Sequence, residues 1–314
     1  MSDLPFRMTA MSRTAQPSSG VPTPFLRWAG GKRRLSEVLL QAFPKDFKGT
    51  ESNFFEPFVG GGALMIKLGD PSSEYFVDGE HLYINDINPD LIITYKAIQK
   101  NVRKLMEEID SFAIRKDKKE FLEVRNWRPK LAIEKAARFI YLNKTCFNGL
   151  WRVNSKGEFN VPFGQLKNPL IYDRENLLLM SKRLRNATIT NLPFAQAVEP
   201  AKKGDLVYFD PPYIPLTTTA SFAQYAKDGF GMMDQFALAG VIEGLTAKGV
   251  NVILSNSETD ATREVFGNIL TLRQISAPRS ISATVGGRGN VKEVIGTNFK
   301  VRSRSELSNL RVVS

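Results

Sequence analysis

The sequence is poor in the side chains that build most metal and nucleophile sites: its 314 residues include one cysteine, Cys146, and one histidine, His81. A single cysteine excludes an internal disulfide framework and a cysteine zinc cluster. A single histidine excludes the ordinary metal triads and argues against a serine–histidine–aspartate apparatus. Cys146 has no evident histidine partner, so we interpret it as a small buried hydrophobic residue and expect no metal site.

Long apolar segments are absent as well. No run approaches the length needed to span a membrane, and the N-terminus lacks the apolar core of a signal peptide. With 42% hydrophobic and 24% charged residues, the composition is that of a globular protein with one large domain or two. We therefore expect a cytoplasmic protein with no membrane partner.

Positive charge is in excess: 43 Lys and Arg side chains stand against 32 Asp and Glu, which gives a net charge of +11. Such an excess favours a polyanionic partner, with binding that weakens steeply as the salt concentration rises. A role in solubility remains open on charge alone, so the nature of the partner must be argued from motifs.

The stretch that organises the chain is an acidic, proline-rich turn after a short apolar strand at 206–209. The turn reads Asp210-Pro211-Pro212-Tyr213, and an apolar run that ends this way is typical of a buried parallel strand opening into a site. Each proline fixes its own φ, lacks an N–H donor and biases the preceding residue toward extended backbone. The turn is therefore rich in acceptors.

An acceptor-rich turn suits the activation of an exocyclic amine on a nucleobase, whose nitrogen lone pair is delocalised into the ring. If the Asp210 carboxylate and the Pro211 carbonyl accept the two amine hydrogens, the nitrogen approaches tetrahedral geometry and its lone pair is freed. Tyr213 can stack on a base that has been swung out of the duplex. The alternative for an isolated tetrapeptide is that the aspartate caps a helix and the prolines end a strand.

A second stretch predicts a nucleotide-like cofactor. Residues 54–68 pass from a strand through a triple-glycine turn at 60–62 into a helix, as in the binding sites of doubly wound sheets. The glycines are consecutive rather than spaced for a pyrophosphate, and Glu56 lies just ahead, which favours a positively charged ligand without phosphate. About 24 residues beyond the turn, Asp86 ends a second strand, where an acid accepts from ribose hydroxyls. S-adenosylmethionine fits both features.

Two further segments carry candidate binding residues. Around Trp28, a glycine pair and Lys32 precede a helix, so the indole offers a flat face and the lysine a cation; a buried tryptophan beside a helix start is the alternative. The segment 143–162 mixes aromatic, amide and cationic residues around an Asn-Ser-Lys-Gly hairpin signal at 154–157. Arginine and asparagine read guanine and adenine edges, and an aromatic side chain can fill the gap left by an extruded base. An ordinary surface hairpin is the alternative.

Together these segments resemble the Dam-type DNA adenine-N6 methyltransferases, the D12 class. The resemblance covers about residues 25–300 and depends on four motifs in one order: Phe-Leu-Arg-Trp-Ala-Gly-Gly-Lys, Phe-Glu-Pro-Phe-Val-Gly-Gly-Gly, Asn-Lys-Thr-Cys-Phe-Asn-Gly-Leu-Trp-Arg and Asp-Pro-Pro-Tyr. It implies an α/β fold, a doubly wound, Rossmann-like methyltransferase sheet with an inserted helical and hairpin target-recognition domain.

The resemblance and the composition predict the organisation of the chain. We expect a disordered leader at 1–24, a discontinuous catalytic domain at 25–90 and 170–302, a target-recognition domain at 91–169, and a tail at 303–314.

The resemblance also implies roles for individual residues. The cofactor contacts are Trp28, Lys32, Asp86 and Asp210, with Glu56, Phe58 and Gly60 lining the pocket. The catalytic turn is Asp210, Pro211, Pro212 and Tyr213. The DNA contacts are Arg27, Phe147, Asn148, Arg152 and Pro162, with Phe147 intercalating.

The activity implied is transfer of a methyl group from S-adenosylmethionine to N6 of adenine in double-stranded DNA by base flipping, without a metal. GATC or a related short palindrome is the preferred site, and a cognate restriction endonuclease acting at that site, without direct contact, is a further candidate partner. A cytosine-N4 DNA methyltransferase remains an alternative, although serine is common at the Asp210 position there. A catalytically silent DNA-binding regulator is the alternative from another class.

Overall fold

The computed structural model describes residues 20–28, 35–214, 230–278, 290–301 and 311–312. In this part the helices are α1 (Ser36–Gln41), α2 (Ala63–Lys67), α3 (Pro89–Phe112), α4 (Lys118–Asn126), α5 (Ala132–Thr145), α6 (Arg174–Arg183), α7 (Phe194–Ala197), α8 (Met232–Ala247) and α9 (Asp260–Phe266). The strands are β1 (Phe54–Glu56), β2 (Leu82–Asn85), β3 (Thr188–Thr190), β4 (Leu206–Phe209), β5 (Asn251–Ser257), β6 (Thr271–Pro278), β7 (Asn290–Thr297) and β8 (Arg311–Val312). A single 3₁₀ turn, Phe147–Gly149, follows α5.

The described strands form one sheet in the order β3-β2-β1-β4-β5-β7-β6-β8. Neighbouring strands from β3 to β5 are parallel, and β7 lies antiparallel between β5 and β6. The strand order reverses between β1 and β4, so the carboxyl ends of these strands flank the crevice in which doubly wound sheets bind ligands. The doubly wound, Rossmann-like α/β fold expected from the sequence is confirmed.

Apolar cores cover both faces of the sheet, as β1 and β4 illustrate. Phe54 and Tyr208 belong to one core, whereas their neighbours Phe55 and Phe209 belong to the other, because successive strand residues point to opposite faces. All four side chains are at most 1% exposed. Since neither face of these strands meets water, they read in the sequence as continuous apolar runs rather than alternating ones.

The helical part between β2 and β3 shares its core with the sheet. Helix α3 begins at Asn88, whose side chain accepts hydrogen bonds from the backbone N–H groups of the first turn. Buried residues of α3 and α5, such as Leu105 and Ile140, belong to the same apolar cluster as Phe54 of β1 and Ile84 of β2. The inserted segment is therefore packed continuously onto the catalytic sheet.

The loop between α3 and α4 wraps around the carboxylate of Glu120, which is 4% exposed. Its Oε2 accepts hydrogen bonds from the backbone N–H groups of Ile114 at 3.1 Å and Arg115 at 2.7 Å. Its Oε1 accepts from the N–H of Lys116 at 2.9 Å and from the Tyr141 hydroxyl at 2.7 Å. Four donors thus compensate one buried charge and tie α4 to α5.

The N-terminal part of the described chain is held against α6. Val21 packs against the core, and the Asn176 side chain accepts from the Thr23 N–H at 2.7 Å and donates to the Thr23 carbonyl at 3.0 Å. These contacts place Val21 and Thr23, which lie in the segment expected to be a disordered leader, against the folded chain. Residues 1–19 lie outside the described part.

Cys146 is fully buried after α5, and its thiol donates a hydrogen bond to the Leu150 carbonyl at 3.2 Å. Burial raises the pKa of this thiol to about 11, which keeps it protonated at neutral pH. Its interpretation as a small buried hydrophobic residue is confirmed. Within the described ranges, every helix is too short or too polar to span a lipid bilayer.

Replacing Glu120 with alanine is expected to lower the free energy of unfolding by roughly 2 to 4 kcal/mol, because the buried Tyr141 hydroxyl and three partly buried backbone N–H groups lose their acceptor. Denaturant unfolding measures this loss. Glu123 of the same helix is the matched control: its carboxylate is 53% exposed and pairs with Arg115 at 2.5 Å. Its replacement with alanine is expected to cost less than about 1 kcal/mol. Similar losses in the two variants would contradict the role given to Glu120.

Candidate active site

The Asp210-to-Tyr213 turn leaves the sheet beside the end of β1. Phe55 of β1 pairs with Val207 of β4, so Glu56 at the end of β1 and Asp210 after β4 emerge on the same side of the crevice. The negative charge of Asp210 contributes to the raised pKa of Glu56, which reflects their closeness. The crevice between these strands therefore contains two acidic side chains.

Side chains of α8 and β5 form hydrogen bonds with the backbone of the turn and of the residue that follows it. Gln235, 1% exposed, donates to the Pro212 carbonyl at 2.9 Å. Asn256, fully buried, accepts from the Ile214 N–H at 3.1 Å and donates to Gln235 at 3.3 Å. The Ser257 hydroxyl donates to the Ile214 carbonyl. These uncharged groups fix the backbone on both sides of Tyr213 without adding charge to the crevice.

Tyr213 is held at its hydroxyl by the strand inserted between β5 and β6. The hydroxyl donates a hydrogen bond to Oε2 of Glu293 on β7 at 3.0 Å. Burial, followed by the negative charge of Asp210, raises the pKa of Tyr213 well above its usual range. The phenol therefore stays protonated as a donor, and the ring orientation is fixed by its far end.

The glycine turn is fixed by backbone contacts at Gly60. Its N–H donates to Oδ2 of Asp86 at 3.0 Å, and its carbonyl accepts from the fully buried Tyr95 hydroxyl at 2.9 Å. With φ at +46°, Gly60 adopts a left-handed conformation, and a Cβ there would lie 2.7 Å from the Trp28 indole nitrogen. Only glycine permits this approach, so Trp28 and the turn form one wall of the crevice.

Asp86 has a structural task in addition to any ligand contact. Besides the bond from Gly60, its Oδ1 accepts from the Asn88 N–H at 2.9 Å, just before α3. Burial raises the pKa of Asp86, against the effect of these hydrogen bonds. A carboxylate has about four lone-pair positions. With a further backbone hydrogen bond from Ile87, three donors occupy the Asp86 carboxylate, which leaves acceptor capacity for a ligand.

Glu56 is held with its charge almost fully desolvated, at 4% exposure. Burial, and next the nearby charge of Asp210, raise the pKa of Glu56 well above its usual range. Its Oε2 accepts from the Met65 N–H at 3.1 Å, and Arg183 donates to the carbonyl of the same residue at 2.9 Å. Hydrogen bonds to both the N–H and the carbonyl of Met65 thereby hold α2 in place.

An aromatic group borders the acidic residues on the other side of the crevice. The Phe58 ring lies 5.6 Å from that of Phe194, which begins α7, and 5.7 Å from that of Phe230, just before α8. Phe194 and Phe230 lie 5.9 Å apart, and all three are partly exposed. Partly exposed rings at the carboxyl edge of a sheet provide a surface on which a flat ligand can stack.

The predicted DNA-contacting residues lie on and after the 3₁₀ turn. Phe147 is 46% exposed, although its N–H donates to the Pro162 carbonyl at 2.8 Å. Asn148 has φ at +53°, a left-handed conformation that asparagine tolerates. Arg152 is exposed, and its Nε donates to the Asn160 side chain at 2.7 Å across a short hairpin. An exposed aromatic ring, an amide and a guanidinium therefore share one protruding segment.

The structure brings most of the predicted site residues together. The glycine turn, Trp28, Asp86 and Asp210 surround one crevice, whereas Lys32 lies outside the described residues. Of the residues that follow the turn, 215–229 lie outside the described part of the chain. Pro211 is buried and Pro212 exposed at the turn.

Several residues at the crevice were missed by reasoning from the sequence. These are Tyr95, Arg183, Phe194, Phe230, Gln235, Asn256 and Glu293. Each comes from a segment far from the motif that it supports, so no local spacing points to it. Phe194 alone had a local signal, an aromatic residue four residues after the end of β3.

The matching of this chain to protein families agrees with the geometry. The model of the D12 class N6 adenine-specific DNA methyltransferase family matches residues 28–281. The chain belongs to this family. It is a DNA adenine methyltransferase. This excludes the two alternatives, a cytosine-N4 DNA methyltransferase and a catalytically silent DNA-binding regulator.

Several curated methyltransferases are similar over most of their length. The type II methyltransferase M1.LlaDCHI of Lactococcus lactis subsp. cremoris is 38% identical over 284 residues, 88% of this chain and 95% of the relative. The type II methyltransferase M.MjaIII of Methanocaldococcus jannaschii is 41% identical over 275 residues, covering 82% and 92%. A DNA adenine methylase of Vibrio cholerae is 34% identical over 277 residues, covering 86% and 94%.

Replacing Glu56 with glutamine is expected to raise the free energy of unfolding of the ligand-free methyltransferase, increasingly so as the pH rises above about 4.5, the ordinary pKa of a glutamate. Because the folded-state pKa of Glu56 is raised, the folded chain holds a proton that the unfolded chain has released, and wild-type stability falls as the pH rises from the unfolded-state pKa toward the folded-state pKa. Glutamine keeps an acceptor for Met65 and carries no charge.

Urea unfolding over a pH series measures this difference. Glu37→Gln is the matched control, because the Glu37 side chain is 67% exposed beside Lys67 and should show no comparable gain. A Glu56→Gln variant whose stability tracks that of the wild type at every pH would contradict the account.

Proposed function

We propose that the methyltransferase transfers the methyl group of S-adenosylmethionine to N6 of a flipped adenine in duplex DNA, with Asp210 at the meeting point of the two ligands. The observation that supports this most strongly is the acidic crevice at the point where the strand order reverses. Glu56 and Asp210 emerge there beside a glycine turn whose N–H at Gly60 is already used by Asp86.

The electrostatics of the crevice favour a cation. Although the protein has a net charge of +11, two carboxyl groups lie close together at this crevice, and the charge of Asp210 adds to the burial that raises the pKa of Glu56. A phosphate would meet repulsion here, whereas a sulfonium and an ammonium group would relieve it. S-adenosylmethionine carries both cationic groups and no phosphate. Trp28, Lys32, Asp86 and the Phe58 ring are the proposed contacts for the rest of the cofactor.

For the transfer itself, we assign acceptance of the two N6 hydrogens to the Asp210 carboxylate and the Pro211 carbonyl. The proposed Tyr213 role is stacking on the flipped base, with its hydroxyl anchored at Glu293. A direct in-line displacement at the sulfonium methyl then needs mainly positioning and oriented acceptors. Pro212 supports the turn through its carbonyl bond from Gln235.

For the DNA, we assign insertion into the gap in the duplex to Phe147, with Arg27, Asn148, Arg152 and Pro162 facing the bases or backbone. The preferred site is GATC or a related short palindrome. The catalytic and recognition parts are proposed at the boundaries expected from the sequence. Two of the similar proteins are named as type II methyltransferases, which supports a role beside a restriction endonuclease.

Incubating the wild-type enzyme with methyl-labelled S-adenosylmethionine and duplex DNA is expected to label adenine, and Asp210→Ala is expected to abolish labelling while the fold is retained. The loss follows because the N6 hydrogens lose their charged acceptor. Asp260→Ala is the matched control, since Asp260 is exposed at the start of α9 and should leave turnover unchanged. A well-folded Asp210→Ala enzyme with near wild-type turnover would remove Asp210 from the mechanism.

Replacing Arg152 with alanine is expected to weaken discrimination between the cognate duplex and single-base variants by about 1 to 3 kcal/mol, if its guanidinium makes a bidentate base contact. The cognate duplex is identified by sequencing methylated DNA from cells that express the wild-type enzyme. Lys156→Ala, an exposed cation at the tip of the same hairpin, is the control and should lower the affinity for all duplexes alike. An equal loss on all duplexes for Arg152→Ala would place the arginine on phosphate.

A further inference from the structure

The Asn143 side chain joins the two halves of the crevice. It is fully buried in the last turn of α5. Its Oδ1 accepts from the Arg27 N–H at 2.9 Å, and its Nδ2 donates to the Arg27 carbonyl at 2.7 Å and to the Gly149 carbonyl at 3.0 Å. One amide thus binds the backbone of two segments that are more than a hundred residues apart.

One of these segments leads directly to the proposed cofactor wall. Arg27 precedes Trp28, whose indole lies against Gly60 so closely that a Cβ on that glycine would be 2.8 Å from the indole Cδ1. The Trp28 ring also lies 6.3 Å from the ring of Phe139, one turn before Asn143 on α5. A displacement of the glycine turn is therefore transmitted to the Arg27 backbone through rigid, packed groups.

The other segment is the turn that carries the proposed DNA contacts. Gly149 closes the 3₁₀ turn begun by Phe147 and Asn148, with φ at +66°. A Cβ on Gly149 would lie 2.3 Å from the Cβ of Arg27, so the Gly149 backbone lies directly against the Arg27 side chain with no room for a side chain of its own. Asn143 fixes this contact, because its amide saturates both backbones at once.

We propose that Asn143 is a positioning residue that couples cofactor binding to DNA recognition. A bound cofactor restricts the motion of Trp28 and the glycine turn, and the Arg27 backbone transmits this restriction to the Phe147–Gly149 turn. Because coupling is reciprocal, a bound duplex raises the affinity for the cofactor by the same factor. This inference rests on the proposed function, since it takes Trp28 as a cofactor contact and the 3₁₀ turn as a DNA contact.

A second asparagine supplies a matched control. Asn176 on α6 makes the same kind of two-way amide contact with the backbone of Thr23, four residues before Arg27. It holds the same N-terminal segment but belongs to a helix that carries none of the proposed DNA contacts. If Asn143 merely stabilised this segment, both asparagines would have equal effects.

The test measures the affinity of a short duplex containing the sequence that the wild-type enzyme methylates, with and without S-adenosylhomocysteine, by fluorescence anisotropy. In the wild type, the cofactor product is expected to raise duplex affinity about tenfold, within the usual range for coupled sites. In Asn143→Ala the factor should fall below about twofold, although calorimetric affinity for S-adenosylhomocysteine without DNA changes less than about threefold. Asn176→Ala should keep the wild-type factor.

Gly149→Ala disrupts the same contact between Gly149 and Arg27 and should also lose the coupling. This second variant tests the inference even if Asn143→Ala does not fold. Circular dichroism melting checks each variant. Wild-type coupling in a folded Asn143→Ala or Gly149→Ala variant, or equal loss in Asn176→Ala, would overturn the inference. A wild-type enzyme that methylates adenine but shows no coupling would overturn it and leave the proposed function standing. Failure to bind S-adenosylhomocysteine at all would overturn both.

Discussion

Two carboxylates, Glu56 and Asp210, stand at the point where a parallel sheet reverses its strand order, and the rest of the site is arranged around their charge. Burial and the charge of Asp210 raise the pKa of Glu56. The ligand-free crevice therefore holds an electrostatic conflict that protonation of Glu56 relieves only in part. A buried conflict of this kind is costly to folding, and the cationic cofactor proposed for this crevice would relieve it. Affinity for such a cofactor would be obtained at the expense of stability.

Hydrogen bonds hold the segments around both acidic residues in place. Next to Glu56, the Met65 N–H donates to the Glu56 side chain and the Met65 carbonyl accepts from Arg183. Next to Asp210, Gln235 donates to the Pro212 carbonyl and Asn256 accepts from the Ile214 N–H. The bonds from Gln235 and Asn256 add no charge to the crevice, whereas the positive charge of Arg183 lowers the pKa of Glu56 against the larger effects of burial and of Asp210. Groups that folding has already oriented need no rearrangement when a ligand binds, as in other preorganised sites.

The sequence predicted what is local and missed what the sheet order brings together. The strand before Asp210, the glycine turn, the acid at the end of β2 and the hairpin turn all follow from apolar runs, glycines and spacing, and the fold class follows from them. Glu293 could not be found this way, because it reaches Tyr213 only since β7 inserts antiparallel beside β5. Asn143 was similarly hidden: its partners are backbone atoms of Arg27 and Gly149, which no side-chain pattern records.

The shared core limits how target recognition can adapt. Helix α5, which carries the recognition turn at its end, packs into the same apolar cluster as β1 and β2, so moving it as a body would expose core side chains such as Phe139 and Ile140. The turn itself has fewer constraints: Asn148 is left-handed, and Phe147 is half exposed. Adjustment to a base sequence is therefore confined to a few residues on a rigid helix. The distance from these residues to Asp210 is then set by the core, and in the proposed mechanism this distance keeps the flipped base in register with Asp210.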